Sequence, residues 1–271
     1  LMSRLSQKIS SLKDGKKKAL ISFISSNDPS YILSKKILEM LPQCGVDIIE
    51  VGLPFSDPMA DGPVIQRSSL RGIKAGFTVK KTLEMIKSFR KNDNITPIIL
   101  MGYFNTIYQF GLKSFFSEAK NSGIDGLIIV DLPPEENSLL KPFIKNCEID
   151  IIRLITPTTD SSRLKTILKN ASGFLYYVSV LGITGTKKPS LDKVSQSVKK
   201  IKKYTKLPIF VGFGISKVEQ VSKISSFADG TVIGSSLVKV IEDSINKKLP
   251  ENEMFKKIEI FLKKLESACY I

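Results

Sequence analysis

The feature that most constrains this chain is an alternation of short apolar runs with longer helical patterns, sustained along its whole length. Eight runs carry β-rich sequence: Ala19–Ile24, Asp47–Gly52, Pro97–Met101, Gly126–Val130, Ile149–Ile155, Gly173–Ser179, Pro208–Gly212 and Gly230–Ile233. They are nearly continuous in apolar residues rather than alternating, as strands buried on both faces must be. Between them, apolar residues recur at helical spacing. In Tyr31–Leu41 these are Ile32, Leu33, Ile37, Leu38 and Leu41, and in Val79–Phe89 they are Val79, Leu83, Ile86 and Phe89. Further helical patterns cover Leu112–Ala119, Glu135–Ile144, Ser161–Leu168, Ser190–Tyr204, Lys217–Ser225 and Glu251–Ser267. Eight β–α units in 271 residues match a (β/α)8 TIM barrel. A doubly wound open sheet is the structural rival. No linker or repeat divides the chain, so a single barrel domain over 1–271 is expected, with an extra N-terminal helix.

Such barrels place their chemistry at the C-terminal ends of the strands. The rule singles out Phe23, Glu50, Met101, Asp131, Thr156, Tyr176, Gly212 and Gly234. The second run stands out among them. Asp47–Pro63 reads DIIEVGLPFSDPMADGP, a strand carrying Glu50 that breaks into a proline-rich loop with Asp57 and Asp61. An acid in an apolar run is costly to bury without a partner or a task. The flanks Ile48, Ile49 and Val51 predict a raised pKa for Glu50. Asp61-Gly62 and Ser56-Asp57-Pro58 also read as plain turn sequences.

Composition narrows the chemistry. The chain has no histidine, which removes Ser-His-Asp and Cys-His schemes and the commonest metal ligand. Acid–base work falls to Asp, Glu, Tyr, Lys or Cys. Three isolated cysteines, Cys44, Cys147 and Cys269, form no CxxC pair, so no metal site and no disulfide framework are expected. The net charge of +15 raises nucleic-acid binding, but only six of the 41 basic residues are arginine, and the lysines are spread over helix faces. Compositional drift accounts for them, and no nucleic-acid partner is expected. No apolar run reaches the roughly 18 residues of a membrane span. The N-terminal stretch has no signal-peptide apolar region, and a cytoplasmic protein is expected.

An anion site is legible late in the chain. VGFGIS (Val211–Ser216) and VIGSS (Val232–Ser236) end the last two runs, each before a helix. Glycines at Gly212, Gly214 and Gly234 let backbone N–H groups approach a ligand, and helix N-termini favour an anion. The loops after strands seven and eight are the common phosphate site of this fold. The loop Gly182–Thr186 is placed to close over it. Lys187 and Lys188 read more simply as a solvated pair.

These residues together resemble the tryptophan synthase α subunit family. The resemblance rests on IIEVGLPFSDPMADGPVIQ (Ile48–Gln66), LMGYFN (Leu100–Asn105), VDLPPEE (Val130–Glu136) and PTT (Pro157–Thr159). It continues in YYVSVLGITG (Tyr176–Gly185), GFGIS (Gly212–Ser216) and IGSSLV (Ile233–Val238). It implies a lyase that cleaves indole-3-glycerol phosphate to indole and glyceraldehyde 3-phosphate, with no cofactor in this chain. A β subunit carrying pyridoxal phosphate would receive the indole, in an α2β2 heterotetramer. By the same resemblance Glu50 is the general acid–base, Asp61 the partner of the indole N–H, and Tyr176 an active-site tyrosine. Phe23, Leu100, Phe213 and Ile233 would form the slot for the indole ring. Thr184 would help fix Asp61, and Gly185, Gly214, Gly234 and Ser235 would contact substrate. Pro54, Phe55 and Asp57 would face the β subunit. Two departures from the family pattern are Phe174 in place of tyrosine and Thr106 in place of proline. The rival functions are another phosphate-binding barrel enzyme and a catalytically weak regulatory partner of a β chain.

Overall fold

In the computed structural model, residues 2–144, 147–179, 190–212 and 214–270 are described. The strands are β1 (Ala19–Ser25), β2 (Ile48–Gly52), β3 (Ile98–Gly102), β4 (Gly126–Ile129), β5 (Asp150–Ile151), β6 (Arg153–Ile155), β7 (Leu175–Val178), β8 (Ile209–Gly212) and β9 (Gly230–Ile233). All pairings are parallel, in the order β5-β4-β3-β2-β1-β9-β8-β7-β6. The two ends of that order, β5 and β6, are consecutive in the chain and flank Ile152. Together they are the fifth barrel strand, so nine assigned strands fill eight barrel positions and the sheet closes as a TIM barrel.

Side chains alternate strictly between the barrel interior and the helix shell, because successive Cβ atoms point to opposite faces. Ala19, Ile21, Ile48, Ile99, Ile128, Ile152, Phe174, Tyr176, Phe210 and Val232 form the interior core. Their strand neighbours Leu20, Ile49, Val51, Leu100, Leu127, Leu175, Val211 and Ile233 pack against the surrounding helices. Both faces are dry, which explains the continuous apolar runs. The helix Arg4–Asp14, capped by Ser3 accepting from the Ser6 N–H, plugs the bottom of the barrel with Leu5 and Leu12. The three cysteines are free thiols.

Most expected helices are present. The stretch expected as one helix over Glu135–Ile144 is instead a 3-10 turn, Pro134–Leu139, followed by the short helix Lys141–Ile144. Pro134 at its start and the exposed acidic face leave little apolar surface to drive a regular helix. Helices Pro63–Lys74 and Phe104–Phe110 were not expected. Pro63 stands at the first helical position of the former, where its missing N–H costs nothing. Among the described residues, no helix is long and apolar enough to cross a membrane.

Candidate active site

The C-terminal ends of β1, β2, β3, β7 and β9 surround one cavity, with Phe23, Glu50, Asp61, Met101, Tyr176 and Gly234 in its wall. Glu50 occupies an inward position of β2, paired in register with Phe23 of β1. It is 1% exposed, and its Oε1 has no hydrogen-bond partner among the described residues. Desolvation alone pushes its pKa up to about 8. An ordinary buried carboxylate of a core ion pair would show a basic neighbour, and among the described residues Glu50 shows none.

Asp61 closes the cavity from the loop between β2 and helix Pro63–Lys74. Its backbone N–H donates to the Pro58 carbonyl at 3.0 Å, and Gln66 Nε2 donates to its carbonyl at 2.9 Å. The loop is thereby stapled to the first turn of the helix. Burial raises its pKa to about 6, opposed by the Tyr103 hydroxyl, which donates to Asp61 Oδ2 at 3.2 Å. Asp61 is therefore less polar in setting than a solvated loop acid. The two carboxyls still differ, so near neutral pH Glu50 holds its proton and Asp61 does not.

Tyr176 stands above Phe174 and Phe210 in the barrel interior. Burial first, then the nearby charges of Glu50 and Asp61, raise its pKa well above normal and keep it a neutral phenol. Its ring leans over Gly212, where a Cβ would lie 2.3 Å from the Tyr176 hydroxyl, so only glycine fits beneath it. Phe174 lies lower, fully buried with its ring 4.4 Å from that of Phe210. A tyrosine hydroxyl there would sit in the interior core, below the cavity.

The candidate anion cradle is built from two sides. Helix Ser235–Asn246 begins at Gly234, and both Gly234 and Ser235 line the cavity. Its first turn carries N–H groups without intrahelical acceptors. Gly214 faces it at φ +72°, a left-handed conformation that favours glycine. The Ser236 hydroxyl donates to the Ile215 carbonyl at 2.7 Å and ties the two loops together. The helix Val218–Ser225 contributes less than its position suggests. The Gln220 side chain accepts from the Ser216 and Lys217 N–H groups at 3.0 and 3.1 Å and caps that terminus internally.

Two expected slot residues are elsewhere. Leu100 and Ile233 point outward into the helix shell, fully buried among core side chains, because the period of a strand puts Met101 and Gly234 inward instead. Met101 thus takes the place assigned to Leu100. Thr184, Gly185, Phe213, the loop Gly182–Thr186 and the pair Lys187 and Lys188 lie outside the described residues. Among the proposed partner contacts, Asp57 is exposed, and Phe55 is partly exposed and stacks on Tyr103 with ring centroids 5.1 Å apart. Pro54 is a correction. It is buried with its ring against Gly72 of helix Pro63–Lys74, so it shapes the loop from beneath and offers no face to a partner.

Sequence reasoning passed over Tyr103. Its hydroxyl accepts from the Ala60 N–H at 3.0 Å while donating to Asp61, so one side chain fixes both the acid and the loop that carries it. The only signal was its place in LMGYFN. Ile65, on the first turn of helix Pro63–Lys74, also lines the cavity, and the proline-rich sequence before it does not announce that helix. Thr106 uses the N–H that a proline would lack, donating to the Tyr103 carbonyl at 3.2 Å. Among the described residues no His, Cys, Asp and Glu group is placed to hold a metal ion.

The chain as a whole is similar to known proteins. The model of the family described as tryptophan synthase alpha chain matches residues 9–269. A crystal structure of tryptophan synthase subunit alpha from Legionella pneumophila superposes with a TM-score of 0.91 at 35% identity, covering 99% of each chain. A structure from Aquifex aeolicus VF5 gives 0.89 at 35% identity over all of both chains. Tryptophan synthase from M. tuberculosis in an aminoacrylate-bound form gives 0.86 at 26% identity, covering 99% of this chain and 100% of that one.

Proposed function

This chain belongs to the tryptophan synthase alpha chain family, and from that premise we propose how its own residues carry the family's reaction. The reaction is cleavage of indole-3-glycerol phosphate to indole and glyceraldehyde 3-phosphate. The chain works with a β subunit, to which the pyridoxal phosphate belongs, and has no cofactor of its own.

In our reading the protonated Glu50 delivers its proton to indole C3, which turns the ring into an iminium-like electron sink. Asp61, ionised, accepts the hydrogen bond of the indole N–H and stabilises the positive charge developing there. Glu50, now a carboxylate, takes the proton from the glycerol hydroxyl on the carbon bonded to C3. The C–C bond breaks, its electron pair returns to the ring, and the hydroxyl carbon becomes the aldehyde. Both acids end in their starting states, as a catalyst must. The observation that carries this reading is the orphaned, fully buried Glu50 carboxyl facing a cavity shared with Asp61. Different environments give the two carboxyls different proton occupancy, which divides the acid and base roles.

The remaining assignments follow the same reading. Gly214, Gly234 and Ser235 hold the phosphate, Phe23, Met101 and Ile65 flank the indole ring, and Tyr176 orients it. Thr184, Gly185 and Phe213 are assigned to the site by the family resemblance alone. Asp57 and Phe55 meet the β subunit in an α2β2 heterotetramer, an assignment supported by the exposure of Met59 beside them, at 68%. A cytoplasmic location fits a biosynthetic role. The test is indole production from indole-3-glycerol phosphate by the purified chain, slow alone and faster with a β subunit. No indole in either condition would overturn the reading.

A further inference from the structure

Two helices whose first turns line the cavity and the turn that follows β1 meet outside it at one arginine. Arg71 lies on the last turn of helix Pro63–Lys74, the helix that Asp61 precedes. Its Nε and Nη2 donate to both carboxylate oxygens of Asp28, at 2.7 and 2.8 Å. Its Nη1 donates to Glu242 Oε1 at 3.0 Å. Asp28 belongs to the turn that follows β1, the strand of Phe23. Glu242 is on helix Ser235–Asn246, whose first turn forms the anion cradle. One turn before Arg71, Arg67 grips both oxygens of Glu242 at 2.6 and 2.8 Å. The side chains of Asp28 and Glu242 are only 3% and 5% exposed.

Burying such charges is weak evidence for stability in itself, because desolvation offsets their attraction. What bidentate arginine forks supply is fixed distance and angle. That geometry matters here. The substrate has an indole ring at one end and a phosphate at the other, and the two ends are held by different helices. No strand pairing fixes those helices directly, since β1 lies between β2 and β9 in the sheet.

We propose that Arg71, clamped between Asp28 and Glu242, is a positioning residue that locks the Asp61-bearing helix to the anion-cradle helix. Phosphate bound at Gly234 and Ser235 then sets the indole ring against Asp61 and Glu50. Arg71 touches no substrate. It acts through the two helices, and loss of the clamp leaves the cradle intact while the ring end drifts. The inference rests on the lyase reading above.

The test is steady-state cleavage of indole-3-glycerol phosphate by the full chain, with melting followed by circular dichroism. At a temperature where Arg71→Gln remains folded, its kcat is expected to fall about 10- to 100-fold, the usual cost of a misplacement near 1 Å. Its KM and its Kd for glycerol 3-phosphate are expected to stay within about twofold, because the cradle is backbone and is untouched. Arg71→Lys keeps the charge but not the fork, and is expected to recover melting temperature more than kcat. Arg71→Gln combined with Glu242→Gln is expected to lose less than the product of the two single losses, since both remove the Arg71–Glu242 link and only Glu242→Gln also removes that of Arg67. An unchanged kcat in folded Arg71→Gln, or losses that multiply in the double variant, would overturn the proposal. If Arg71→Gln does not fold, Arg71→Lys and Glu242→Gln carry the test, and wild-type kcat in both would refute it. A wild-type chain that makes no indole would instead sink the lyase reading and this inference with it.

Discussion

Replacing Glu50 by Gln should make the protein more stable as the pH rises. Burial holds the Glu50 pKa at about 8 in the folded chain, against 4.5 when exposed. Between those values the folded protein keeps a proton that the unfolded chain has released. Unfolding therefore releases a proton, and the Glu50 contribution to stability, fully present below pH 4.5, is lost as pH rises toward 8. Gln cannot ionise and resembles the neutral acid in shape. The advantage of Glu50→Gln should be near zero at low pH and grow by about 1.4 kcal/mol per pH unit. Over the full window it reaches at most about 5 kcal/mol. Urea unfolding of both proteins at about pH 5, 6, 7 and 8 measures the difference, extrapolated linearly. The chain has no tryptophan, so circular dichroism is the signal to follow. Asp28, Asp47 and Asp125 also have raised pKa values, but they are common to both proteins and cancel in the difference. Parallel stability curves would refute the reasoning, because they would mean that Glu50 ionises in the fold as easily as outside it.

Other consequences concern activity directly. The kcat/KM for cleavage should follow a bell, rising through about pH 6 as Asp61 ionises and falling through about pH 8 as Glu50 loses its proton. A flat profile across that range would count against the division of roles. Tyr103→Phe removes the hydrogen bond that holds the Asp61 pKa down, so the acid limb should move to higher pH, and stability should fall by about 1 kcal/mol. An unmoved limb would show that Tyr103 does not set the Asp61 ionisation. Gly234→Asp introduces a side chain into open space, its Cβ 3.8 Å from that of Phe23, so folding should survive. Calorimetric affinity for glycerol 3-phosphate should nevertheless drop at least about tenfold through charge repulsion. Unchanged affinity would remove Gly234 from the cradle.

The fold was legible in the sequence because a parallel barrel writes itself as a rhythm of doubly buried strands and amphipathic helices. The break at Ile152 was not, since one residue without strand geometry leaves no compositional trace. Glu50 and Gly234 were legible because an acid in an apolar strand and a glycine before a helix are locally conspicuous. The slot residues were harder. Leu100 and Met101 are both apolar, and only the phase of the strand decides which one faces inward. The Asp28–Arg71–Glu242 cluster was invisible for a different reason: its members come from three separate connections and meet only in the folded barrel. Pro54 shows the same limit, since its place in an exposed-looking loop gave no hint that Gly72 would cover it.

The central claim is that Glu50 carries the proton while the backbone cradle carries the affinity. The most direct measurement pairs turnover of indole-3-glycerol phosphate with binding of glycerol 3-phosphate in wild type and Glu50→Gln. The account predicts that turnover falls by at least about 10²-fold while the dissociation constant stays within about twofold. Turnover by Glu50→Gln at the wild-type rate would contradict it.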